Sequence, residues 1–341
     1  MRPLIALASL LIVSACLFGK EPEVVRLSGE TMGTTFNITA IGDDLDEAAL
    51  GQAVQETLAQ VNAQMSNWDP NSEVSTFSAS NSTDPMSVSA EFAFVIKAAN
   101  EVHTKSDGTF DVTLGPLIEL WGFGPRKPED PVPADADIAA ALGQVGQARL
   151  LTLDDAAGTL AKSDAAVGIN LSAIAKGYGI DAVAARLREA GIENYMVEIG
   201  GDLVAMGEND KGESWRIGVE KPEASAPAIQ LIVPLVNLGM ATSGDYKNFF
   251  EQDGLRYSHI IDPTTGRPIT HATTSVTVLA DSAMMADAWA TAMLALGQEK
   301  GLELAEEHKL AVFFISRDVT SGEEAYITVQ SSAFKDALGT N

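Results

Sequence analysis

Apolar residues in the first half of the chain recur at steps of three and four. Leu50, Val54, Leu58, Val61 and Met65 form one stripe behind Asp46, which predicts an amphipathic helix closing near Ser66. Phe92, Val95, Ile96, Ala99 and Val102 predict a second over residues 90–106. Ser172 offers an N-cap for a third, which Gly191 stops near Ala190. A different pattern runs from Ser282 to Gly297, where nearly every position is apolar, so that helix is buried on all sides. Short runs at residues 24–27, 35–40, 195–199, 215–219, 229–235, 275–279, 311–315 and 326–329 predict strands. A short helix at 138–142 and a hairpin through 154–158 complete the elements. The order points to an α+β fold, a mostly antiparallel sheet covered by helices.

Two departures from these patterns carry chemistry. Asp287 and Thr291 are the only polar residues inside the buried helix, four apart and so on one face. A buried carboxylate is costly unless it is paired or binds metal. Two readings stay open: Asp287 accepts hydrogen bonds from a loop while Thr291 bonds back to its own helix, or the oxygen pair holds a hard cation such as Mg²⁺. The second departure is the stretch Ser258, His259, Ile260, Ile261, Asp262, Pro263, Thr264, Thr265, Gly266. Its Pro-Thr-Thr-Gly turn stops a strand and leaves His259 and Asp262 at the strand's lip. His103, near a helix end, reads as a surface cap; His271 and His308 read as structural or exposed.

The stretch from Ser258 to Gly266, the turn Thr242-Ser243-Gly244-Asp245-Tyr246 and the helix segment Ala286-Asp287-Ala288-Trp289-Ala290-Thr291 closely resemble the ApbE flavin transferases, from about Met32 to about Gly297. That resemblance implies an ApbE-like, T-fold-like architecture. It also implies Mg²⁺-dependent transfer of FMN from FAD to a Thr or Ser of a target protein, through a phosphoester. By the same resemblance Met32, Thr109, Phe110, Asp111, Asn170, Lys176 and Ile261 line the FAD site, and Trp68 lies against the isoalloxazine ring. The main-chain oxygen of Ala173 joins Asp287 and Thr291 on the metal. Asn170 stands where many members carry Asp, and position 176 is Lys in some members and Glu in others. Within that chemistry His259 is the group to take the acceptor proton, since histidine titrates near working pH, and Asp262 either orients it or holds a loop. FAD hydrolysis to FMN and AMP, or flavin binding without catalysis, are the competing expectations. The resemblance suggests acceptors among subunits of membrane redox complexes or extracytoplasmic electron carriers.

Composition narrows the partners and the compartment. The formal net charge is −25 over 341 residues, so the chain will not hold a nucleic-acid backbone by general electrostatics. The single cysteine, Cys16, follows Arg2, an apolar run from Leu4 to Val13 and the small residues Ser14 and Ala15. This is the layout of a lipoprotein signal peptide at 1–15. Cys16 then carries a lipid that tethers the protein to a membrane, facing the periplasm, with 16–23 as tether. Residues 24–341 form one domain, with an exposed Pro-rich loop at about 124–137.

Overall fold

The strands join edge to edge in chain order. In the computed structural model, which describes residues 22–124, 132–222, 228–318, 320 and 325–339, eight strands form one sheet. They are β1 (Glu23–Thr31), β2 (Thr34–Gly42), β3 (Asn194–Ile199), β4 (Asp202–Met206), β5 (Leu238–Gly244), β6 (Thr273–Ala280), β7 (Ala311–Arg317) and β8 (Tyr326–Gln330). Every neighbouring pair is antiparallel. The signal segment, Cys16, most of the tether and residues 125–131 of the Pro-rich loop lie outside the described residues. The rest of that loop becomes helical at Asp135, three residues ahead of the predicted start.

Helices α1 (Glu47–Met65), α2 (Ala90–Lys105), α3 (Ala175–Glu189), α4 (Ala283–Leu296) and α5 (Gln298–His308) lie on one side of the sheet. The hairpin of Trp215–Glu220 with Ile229–Leu235 and the short helix Ser332–Ala337 cover the other. β7 shows why both coverings form. Val312 and Phe314 enter the helix-side core, whereas Phe313 and Ile315 enter the opposite one. Each such buried side chain contributes about 2 kcal/mol by leaving water. A strand buried on both faces reads as an unbroken apolar run.

The connections deliver the site. β1 and β2 meet in a two-residue turn, with Met32 at φ 50 and Gly33 at φ 73. Both sit in the left-handed region that a type I′ turn requires. A small hairpin, Phe249–Gln252 with Leu255–Ser258, leads directly to His259, and Ile261–Asp262 pairs back with Arg267–Pro268.

Candidate active site

Helix α3 starts later than its sequence suggests. Ser172 does not cap it. Its N–H and Oγ both donate to Asn170 Oδ1, at 3.0 and 2.6 Å, and the helix begins at Ala175 behind an uncapped Ile174. The local Asx turn wins because Asn170 takes the Ser172 hydroxyl that would have capped. The first-turn N–H of Gly177 is met from another element, by Asp287 Oδ2 at 3.0 Å.

Asp287 is 5% exposed. Burial pushes its pKa up to about 7, with Lys176 and the Gly177 N–H pulling the other way and Asp202 adding to the rise. Desolvation therefore outweighs the helix N-terminus here. Lys176 is ion-paired to Asp202 rather than solvated. Burial works against its charge, but Asp287, Asp202 and Glu198 hold its pKa above the ordinary lysine value. Asp202 Oδ1 also accepts the Thr242 N–H at 3.0 Å, fixing the pair to β5. Thr291 does not bond back along its own helix: its hydroxyl meets Ser243 Oγ at 3.3 Å, again on β5. One Asp287 oxygen thus takes its hydrogen bond from the first turn of a neighbouring helix rather than from a loop.

The donor set fits a hard cation. A deeply buried carboxylate that takes one protein hydrogen bond, one helical turn from a hydroxyl, is an oxygen-rich arrangement suited to Mg²⁺. Among the described residues no three His, Cys, Asp or Glu side chains group as a metal site.

His259 sits one residue beyond the strand Leu255–Ser258 and is half-buried. Its ring Nδ1 lies 2.9 Å from the Asn248 carbonyl. A carbonyl only accepts, so Nδ1 carries the proton and Nε2 the lone pair. Burial lowers the pKa, while Asn248 and Asp245 act in the opposite sense. The ring of Phe123 meets it edge-on at 6.2 Å, beside the stacked pair Phe250 and Tyr257. Asp262 holds its own turn: Oδ1 accepts the Thr264 N–H at 2.8 Å and Oδ2 the Thr265 hydroxyl at 3.1 Å. Of the two roles open to it, the loop is the one realised. Ile261 is buried beside Leu117 and Trp121.

The flavin-side residues fall into two groups. Met32 packs onto Gly179, where a Cβ would come within 2.6 Å of its methyl. Gly200, at φ 58, brings the β3–β4 turn against Thr34 and the Lys176 stem. These contacts gather Met32, Lys176 and Asp202 at one end of the sheet. In the second group, Asp111 binds Thr113 and the Gln147 N–H at 2.9 Å, and the loop carrying Thr109 and Phe110 reaches Asn170 through the bond from Asn170 N–H to Val112 O at 2.7 Å. His103 turns inward, 2.6 Å from Phe110 O, rather than capping at the surface. Trp68 is 76% exposed.

Two residues that hold the site give little sequence signal. Asn67 ties the Trp68 loop to residues 169–171, donating to Ile169 O at 2.6 Å and accepting from Leu171 N–H at 2.9 Å. Buried Lys162 donates to the carbonyls of Ser78, Ala165 and Val167 at 2.9, 2.9 and 3.0 Å, fixing the approach to Asn170. Asn and Lys are ordinarily surface residues; only the fold shows these two in use.

Fold and site together set a buried carboxylate against a paired lysine at one end of the sheet, with a half-buried histidine on the hairpin inserted between β5 and β6. The family model described as "ApbE family" matches residues 32–314, and the chain belongs to that family. A curated relative from Vibrio cholerae, named "FAD:protein FMN transferase", is 44% identical over 337 residues, 98% of each chain. The solved structure "Flavin Transferase ApbE from Vibrio cholerae" matches with a TM-score of 0.83 at 42% identity, covering 92% of this chain and 99% of that one. The apo flavinyl transferase ApbE of Pseudomonas stutzeri matches with a TM-score of 0.84 at 37% identity, covering 94% and 98%.

Proposed function

We propose that this protein transfers FMN from FAD to a Ser or Thr hydroxyl of an acceptor protein, forming a phosphoester and releasing AMP. The observation that carries this reading is the 44% identity to a relative of that name over 98% of both chains. Every element of the site lies inside that match.

The acceptor oxygen attacks the FMN-side phosphorus. The bond from that phosphorus to the AMP oxygen breaks, and AMP leaves with the electron pair. His259 Nε2 takes the acceptor proton, since Nδ1 is committed to Asn248 O. Asp287, Thr291 and the Ala173 carbonyl would hold Mg²⁺, which when bound offsets negative charge on the pyrophosphate. Lys176, kept charged by its acidic neighbours, adds a second positive group at the same end of the sheet. The exposed ring of Trp68 is a stacking surface for the isoalloxazine. Met32, Thr109, Phe110, Asp111, Asn170 and Ile261 shape the remaining flavin contacts. Lipidation at Cys16 places the domain at a membrane facing the periplasm, beside redox complexes that carry the acceptors.

The test is AMP release from FAD and MgCl₂, with and without a redox subunit of the same organism prepared without its covalent flavin. AMP that appears only with the subunit supports transfer. AMP at the same rate without it makes the protein a hydrolase, and none at all makes it a binder.

A further inference from the structure

Asp245 has no place in the chemistry above, yet it is among the most heavily bonded residues near His259. It is the first residue past β5 and is buried. Its carboxylate receives a fork from Arg317, Nη1 to Oδ2 at 2.9 Å and Nη2 to Oδ1 at 2.8 Å. The Thr274 hydroxyl donates to Oδ1 at 2.6 Å, and Arg317 Nη2 also reaches that hydroxyl at 2.9 Å. Main-chain bonds reinforce the point: Asp245 N–H to Thr274 O at 3.0 Å and Arg317 N–H to Ala272 O at 2.9 Å. One carboxylate thus fastens the end of β5, the start of β6 and the end of β7. Arg256 Nη2 donates to Asp245 O at 3.3 Å, linking the same residue to the strand that runs into His259.

Three residues on, Asn248 O accepts both the His259 N–H, at 3.1 Å, and ring Nδ1, at 2.9 Å. Residues 246–248 between them form no helix or strand, and Lys247 and Asn248 are exposed. The position of that carbonyl is therefore set by what holds the two ends of the segment. The far end is the hairpin; the near end is Asp245.

We propose that the Asp245–Arg317 pair is a positioning unit for His259. It fixes the segment that carries Asn248 O, and so keeps the histidine in the tautomer whose Nε2 can accept the acceptor's proton. A bidentate fork fixes orientation as well as distance, which a point charge does not. The proposal rests on His259 as the base of the proposed transfer.

The test uses the full chain with Asp245→Asn and Arg317→Lys. Long-range proton–nitrogen spectra read the His259 tautomer, with His259→Gln assigning its signals. Kinetics read kcat and KM for FAD. Wild type should show the Nδ1–H form. Asp245→Asn should populate the Nε2–H form and lose about ten- to hundredfold in kcat, with KM for FAD held within about twofold. Arg317→Lys should fall between, since it keeps the charge and loses the fork. If Asp245→Asn does not fold, Thr274→Val, which removes one donor from the carboxylate, should show the same tautomer shift in smaller measure. A folded variant with an unchanged tautomer, or with loss spread evenly over kcat and KM, overturns the proposal. A wild type without transferase activity would defeat the functional reading instead, and the tautomer spectra would still decide whether the pair sets the ring.

Discussion

His259 is poised as a base because two influences on it act together. Burial removes water that would solvate the imidazolium, and the Asn248 carbonyl fixes which nitrogen stays bare. With the pKa lowered, the neutral form persists as pH falls through the ordinary histidine range. The acidic limb of kcat/KM should therefore lie below that range, and a limb at or above it would contradict the environment described. The same shift has a stability sign: the unfolded chain binds the proton more readily, so stability is lost as pH drops below the unfolded value. His259→Gln should lower kcat by about a hundredfold or more while FAD still binds, measured by flavin fluorescence. Trp68→Ala should weaken FAD binding by about tenfold with little change in melting temperature, because so exposed a ring adds little to the core. Some of this was legible in the chain. Asp287 and Thr291 stood out as polar residues in an apolar helix, and His259 as a histidine beside a Pro-Gly turn. Asp245 stood in the Thr242–Tyr246 turn with no role attached to it, and Lys162 drew no notice, because a carboxylate or an ammonium is revealed as buried only when distant strands and loops close over it.

Helices α3 and α4 cross so closely at Gly177 that a side chain there has no room. A Cβ would lie 2.3 Å from Ala283 O and 2.6 Å from Met284 Cα, both backbone atoms that cannot turn aside. Asp181 reinforces the crossing by taking the Ala283 and Met284 N–H groups at 2.9 and 2.8 Å, beside the Ser282 cap that the sequence announces. In an open helix, Gly→Ala stabilises by about 1 kcal/mol. Here the sign should reverse: Gly177→Ala should cost about 2 kcal/mol or more in urea unfolding and pull the Gly177 N–H away from Asp287. A neutral or stabilising result would mean the helices are not so close. The spans of α1, α2 and α4 were readable from apolar spacing, with Asp46 ahead of the first and Ser282 to Gly297 bounding the last. The start of α3 was not, since Ser172 has cap chemistry but spends it on Asn170.

At the scale of the molecule, β5 is the shared spine. Thr242 and Ser243 on it touch Asp202 and Thr291, and Asp245 just past its end anchors the approach to His259. That the sheet is mostly antiparallel was legible, but its strand order was not: β4 and β5 coincide with no predicted strand, the predicted strands at 215–219 and 229–235 pair in a hairpin of their own, and the insertion of the His259 hairpin between β5 and β6 depends on long-range closure. In so acidic a chain, net charge −25, the pyrophosphate needs concentrated local positive charge. Mg²⁺ should raise the wild-type melting temperature, as any ligand of the native state does. Asp287→Asn should abolish that rise, whereas a rise equal to wild type would remove Asp287 from the metal. The most direct measurement is the intact mass of a redox subunit prepared without its covalent flavin, after incubation with the protein, FAD and MgCl₂. A gain of one FMN less one water on a single Ser or Thr, present with wild type and absent with Asp287→Asn, is the outcome required. An unmodified subunit alongside free FMN and AMP would contradict it.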